Sequence, residues 1–204
     1  YQTRFLKDNK VNNLAVFIEP HIASGFPDIV FASYSPAVLD NWTDARKKLT
    51  VVELKVLSFL LMKTGINGST IMSTLKLPEK QVLKSLEKLL DANLICRKNK
   101  AWYPNDLGKF YSIKKLVSIE AKMSNLNRVA EQTFINTWFA SHSYALTNIA
   151  TPKIGTVQKF ESSGIGLYCK TNGFKKVVEA KRLSLPSSYL SLQFNEWIGN
   201  ALMN

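Results

Sequence analysis

Residues 116–123 read LVSIEAKM, and they restrict the possible folds of this chain more than any other stretch. In an extended strand successive side chains alternate, so Val117, Ile119 and Ala121 face one way and Ser118, Glu120 and Lys122 the other. The apolar set is expected to enter a core. An acid and a lysine two residues apart on the remaining face are costly to bury unless something pairs with them, and a metal ion or a phosphate would do so. A second apolar strand with one acid near its start lies far upstream, Phe26-Pro27-Asp28-Ile29-Val30-Phe31. Pro27 stands near its beginning, where a missing N–H is tolerated.

The segments around these two strands predict a domain split by another. Residues 1–10 read as the tail of a helix with Tyr1, Phe5 and Leu6 inward, and residues 14–20 (LAVFIEP) as a buried strand antiparallel to the PD strand. After Tyr34 comes a polar connection, then a helical pattern. Thr50 and Glu53 form a capping box ahead of Val51, Leu54, Leu57, Leu60 and Leu61, and Gly65 ends that helix. A short helix over 69–75 follows. A third opens at Pro78 with Val82, Leu83, Leu86, Leu89 and Leu90 inward. Two short strands, LICRKNK and AWYP, then flank a basic tip. Beyond the E-x-K strand, residues 125–145 hold a helix with Leu126, Ala130, Phe134 and Trp138 on its inner face, and YALTNIA continues the sheet. Residues 151–163 read as a polar loop, 165–169 and 174–178 as a hairpin around Thr171-Asn172-Gly173, and 187–203 as a helix that closes the first domain.

"PD" followed by "E-x-K" on separate apolar strands resembles the PD-(D/E)xK nuclease superfamily. The segment EAKMSNLNRVAEQ is similar to members in which a glutamine follows on the next helix. The fold class this implies is α/β: a restriction-endonuclease-like mixed-sheet core with helices on both faces. A mainly helical insertion interrupts it, and its helix, short helix, turn, helix and hairpin over 49–104 resemble a winged helix-turn-helix of MarR-like regulators. The expected boundaries are 1–40 with 110–204 for the nuclease-like domain and 41–109 for the insertion.

The resemblance implies a metal-dependent DNA endonuclease. Asp28, Glu120 and the backbone carbonyl of Ala121 would bind Mg²⁺, for which Mn²⁺ can substitute. Lys122, roughly 6–7 Å along the strand from Glu120, would assist the attacking water. Gln132 would position water or phosphate, and Arg128, one turn earlier, could reach a phosphate. Many members add an acid from a first helix, where Asp8 is a weak match. Glu19 is the accessory candidate in its place, and His21 lies in the loop beside Asp28.

A formal net charge of +12 and a pI near 9.7 suggest an anionic partner, with nucleic acid ahead of a membrane surface. Lys80, Gln81, Lys84, Ser85 and Lys88 are expected on the outward face of the third helix, with Arg97, Lys98 and Lys100 at the wing tip. Lysine is also the usual filler of a solvated helix face, so a structural or dimerising module remains the alternative for that helix. Cys96, Cys169 and two histidines form no zinc-ligand spacing, and two isolated thiols suggest a cytoplasmic setting. No run is apolar enough to span a membrane, no signal peptide is visible, and no small-molecule cofactor motif is present. Double-strand cleavage by one site per chain implies a homodimer. The competing functional reading is a non-catalytic DNA-binding regulator, or an interaction subunit, on a degenerate nuclease fold.

Overall fold

The computed structural model describes residues 11–122, 125–171 and 173–203, so the helix expected over 1–10 and Asp8 lie outside the described residues. The chain divides into two compact units, Tyr1–Tyr34 with Ile113–Ser191, and Ser35–Ser112 with Leu192–Asn204. The second unit therefore begins a few residues before the expected boundary, and it takes the end of the chain.

The first unit is built on a six-stranded mixed sheet in the order β1-β2-β5-β6-β7-β8. Its strands are β1 (Asn13–Ile18), β2 (Ile29–Tyr34), β5 (Ile113–Lys122), β6 (His142–Thr147), β7 (Gly166–Lys170) and β8 (Phe174–Val178). β1–β2 and β2–β5 pair antiparallel, β5–β6 and β6–β7 parallel, and β7–β8 antiparallel. A parallel pair needs a crossover, and α5 (Leu126–Ile135) supplies it between β5 and β6. α6 (Ile154–Ser162) does the same between β6 and β7. Both helices pack on one face, where Val129 and Ala130 of α5 and Phe160 of α6 meet Ala145, Leu167, Cys169 and Val178.

Several expectations shift here, each for a physical reason. β1 is the edge strand, so its apolar run is not sealed, and Ile18 is 76% exposed. Along β5 Val117 is buried in a core as expected, but helices also cover the opposite side. Ser118 and Glu120 are buried while Ala121 is exposed and Ile119 half-buried. The polar loop expected over 151–163 is α6 instead, because Val157 and Phe160, three apart, give it an inner face. α5 buries Ala130 and packs Leu126 against the core as expected, but the rest of its inner face differs. Val129, Ala130 and Thr133 are buried, the helix ends at Ile135 in a short 3₁₀ turn, and Phe134 and Trp138 (66%) lie exposed. Gly166 is required by packing: a Cβ there would come within 2.1 Å of the Tyr144 ring on the neighbouring strand.

In the second unit, α1 (Val51–Met62), α2 (Gly68–Leu75) and α3 (Glu79–Asp91) are followed by the hairpin of β3 (Ile95–Lys98) and β4 (Ala101–Pro104) and by the short α4 (Leu107–Phe110). The expected capping box forms. Thr50 donates its N–H (2.7 Å) and hydroxyl (2.6 Å) to Glu53, and its own oxygen caps the first turn. Glu53 is buried and also meets Ser85 and Lys88. Burial pushes its carboxyl up, but the Thr50 bonds, the Lys88 charge and the Ser85 hydroxyl outweigh it and hold the group below its ordinary value. On α3 Val82, Leu86 and Leu89 are buried as expected, but the edges of that face differ. Ser85 is buried against Glu53, whereas Leu83 (54% exposed) and Leu90 point outward.

The connection after Tyr34 is two 3₁₀ turns, Pro36–Asn41 and Asp44–Lys48, carrying a fully buried Arg46. Its guanidinium forms a bidentate pair with Glu196 (2.5 and 3.0 Å), donates to the Phe110 carbonyl (3.0 Å) and stacks 3.6 Å above the Trp42 ring. Glu196 stands on α7 (Tyr189–Leu202), most of which belongs to this unit rather than to the sheet it was expected to close. The Trp42 ring fills the space beside Gly199, where a Cβ would lie 1.9 Å from a ring carbon. No helix among the described residues is long and apolar enough to cross a membrane.

Candidate active site and nucleic-acid interface

The register of β2 against β5 sets Ile29 opposite Ile119. The next step of that register brings Asp28, just ahead of β2, beside Glu120. The Asp28 carboxylate accepts the Ala121 N–H at 2.6 Å across a chain separation of 93 residues. This bond anchors Asp28 at the end of β5. A strand residue presents its N–H and C=O to the same side, so the Ala121 carbonyl faces the Asp28 edge as well.

Glu120 is 3% exposed, on the helix-covered face. Its Oε1 accepts from Asn136 Nδ2 at 2.7 Å. Burial raises the Glu120 carboxyl pKa, and the nearby charge of Asp28 raises it further. The Asn136 bond and the Lys122 charge oppose both without cancelling them. Asp28 and Glu120 are thus close enough to repel, and Lys122 close enough to relieve part of that repulsion. Two neighbouring carboxylates with the Lys122 ammonium near them leave negative charge for a cation to neutralise.

Gln132 sits on α5 with its Oε1 sealed from solvent and without a hydrogen-bond partner among the described residues. Asn136 follows one helical turn later, and the pair shares one side of the helix. Ser118 and Ser143, register partners on the face of Glu120, are buried with unpartnered hydroxyls among the described residues. Polar groups left open under a helix are where ordered water or substrate oxygen fits.

The accessory residues stand differently. Arg128 is exposed, one turn before Gln132. Glu19 is exposed with a left-handed backbone (φ 47°), and its N–H donates to the Asp28 carbonyl at 2.9 Å. The His21 ring is exposed and stacks on Phe26 at 4.4 Å. Among the described residues no three of the His, Cys, Asp and Glu side chains form a metal-holding group, so neither Glu19 nor His21 completes one with Asp28 and Glu120. Asn136 was not foreseen. Its signal was the four-residue step from Gln132, which an expected helix face running through Phe134 and Trp138 concealed.

On the second unit, Lys80, Gln81 and Lys84 are exposed along the first turns of α3. Lys88 is not free in the same way: its ammonium lies 3.4 Å from Glu53 and donates to the Lys48 carbonyl at 3.1 Å. At the hairpin tip, Asn99 and Lys100 adopt positive φ (47° and 66°), as a two-residue turn requires, so Arg97, Lys98 and Lys100 are held exposed around it. The Arg97 guanidinium lies 5.3 Å from the Trp102 ring centroid, which orients it. No protein-family model, curated protein or solved structure matches this chain.

Proposed function

We propose that this protein is a metal-dependent DNA endonuclease with a restriction-endonuclease-like core and a winged-helix unit that grips duplex DNA. The observation that carries the reading is the convergence of Asp28 and Glu120, from segments distant in sequence, at one end of β5 with the charge of Lys122 near them. Asp28, Glu120 and the Ala121 carbonyl would hold Mg²⁺, which when bound neutralises charge on a phosphate and makes water more acidic. Asn136 holds the Glu120 carboxylate through Oε1. Lys122 stabilises negative charge that develops on the attacking oxygen. Gln132 offers its amide to the same water or to a phosphate oxygen.

The mixed sheet, with its antiparallel and parallel pairs around β5, supports the core assignment, and the α2–α3 pair with its basic hairpin supports the DNA-binding unit. Exposed Lys80, Lys84, Arg97, Lys98 and Lys100 supply phosphate contacts, and a homodimer would place one such site on each strand. The test is incubation of the full chain with supercoiled plasmid and Mg²⁺ or Mn²⁺, beside Glu120→Ala and Lys122→Ala. Nicking by the parent alone, with DNA binding retained in all three, is the expected result. Equal binding without nicking in any of them leaves the non-catalytic regulator as the function.

A further inference from the structure

The face of the sheet opposite Glu120 carries a groove of about 520 Å³, within the range of small-molecule sites. Its walls are Ile29, Phe31, Val117, Ile119, Leu146 and Tyr168. One end is charged. There Lys176 pairs with Glu179, and the Tyr144 hydroxyl donates to the same carboxylate, so Glu179 already has two partners. Lys115, on β5 two residues before Val117, lines the groove too, yet its half-buried ammonium has no hydrogen bond or ion pair among the described residues.

Arg182 adds a further positive charge nearby. His142, half-buried with Nδ1 2.9 Å from the Ser141 hydroxyl, does not offset these charges. Burial, Lys115 and Arg182 drive its ring down to about 4, so it is neutral at physiological pH. Lys115, Lys176 and Arg182 therefore lie near the Glu179 carboxylate at this end, and among the described residues Lys115 has no hydrogen bond or ion pair. An unpaired ammonium at the end of an apolar groove is stabilised by an anion whose remaining body is apolar.

We propose that this groove binds a small amphipathic anion, its apolar body against Val117, Ile119 and Tyr168 and its carboxylate or phosphate on the Lys115 ammonium. The site is distinct from the Asp28–Glu120 centre, since alternate residues of β5 face opposite sides of the sheet.

The test is calorimetric titration of the full chain with adenosine monophosphate in one arm and decanoate in the other, with adenosine and decanol as uncharged controls. The expected result is saturable one-to-one binding in one anionic arm, which names the head group, and at least tenfold weaker binding of its uncharged counterpart. Lys115→Met keeps the side-chain stem and is expected to weaken binding at least tenfold. Ile119→Trp, filling the groove, is expected to abolish it, and Lys115→Met alone decides the matter if the larger side chain unfolds the protein. Absence of saturable binding in both arms, equal binding of charged and uncharged compounds, or unchanged affinity in Lys115→Met overturns the proposal. Nicking plays no part in this readout, so its outcome is independent of the nuclease reading.

Discussion

Asn136→Ala separates a catalytic Glu120 from a merely buried one. In the parent, Nδ2 of Asn136 (4% exposed) donates to Oε1 of Glu120 (3% exposed) at 2.7 Å. A hydrogen bond to a charged group contributes about 1.5–3 kcal/mol, and it favours the ionised carboxylate over the protonated form. The Glu120 carboxyl already titrates above its ordinary value through burial and the Asp28 charge, so losing this bond raises it further. On the acidic limb of the rate profile, turnover follows the ionised fraction. The lost energy then appears as about a 10- to 150-fold drop in rate at low pH, shrinking towards the alkaline plateau. Plasmid nicking measured from about pH 5.5 to about pH 9 reads this directly. Asn136→Asp, similar in shape but without the donor, is expected to show at least as large a displacement without opening a cavity. Thermal melts provide a second readout, with the loss in Asn136→Ala larger above the Glu120 pKa, where the group is charged, than below it. A loss of rate uniform across pH, or an unmoved acidic limb, would refute the argument.

Three further outcomes follow from the same geometry. Because the folded Glu120 pKa is raised, the stability linked to that group is fully present below its unfolded pKa and is lost as pH rises through the folded value. Glu120→Gln, which keeps the acceptor for Asn136, should therefore abolish nicking yet raise the melting temperature by about 2–4 °C at about pH 8, with no gain at about pH 4. Equal shifts at both pH values would show that the charge is not the cause. Gly199→Ala places a Cβ 1.9 Å from the Trp42 ring and should cost about 1–3 kcal/mol in denaturant unfolding, with a wild-type midpoint as the contrary result. Replacing Arg97, Lys98 and Lys100 together by Ala should weaken DNA binding and flatten the slope of log affinity against log salt by up to about 2.7, as for three lost phosphate contacts. An unchanged slope would remove the hairpin tip from the interface.

Local rules read the elements of this chain well where the cause was itself local. The Thr50–Glu53 capping box, the basic two-residue hairpin turn and the alternation along β5 depend on residues a few positions apart, and each stands where the sequence put it. The acid of the PD strand and the E-x-K pair were legible for the same reason, as polar exceptions in apolar runs. What periodicity could not supply was which face would be covered. Leu126 and Ala130 can be continued at helical spacing by Phe134 and Trp138 or joined by Val129 and Thr133, and only packing against Ala145 and Leu167 selects the second.

The sequence by itself therefore determined most of the strands and helices, though not the helix over 154–162, and which side chains carry unusual chemistry. Tertiary structure alone decided that Asn136 meets Glu120, that Arg46 pairs with Glu196 across a separation of 150 residues, and that Lys115 ends an apolar groove without a hydrogen bond or ion pair among the described residues. Backbone preference and capping act over a few residues, whereas burial and charge pairing are settled by whichever distant segments the sheet register and helix packing bring together.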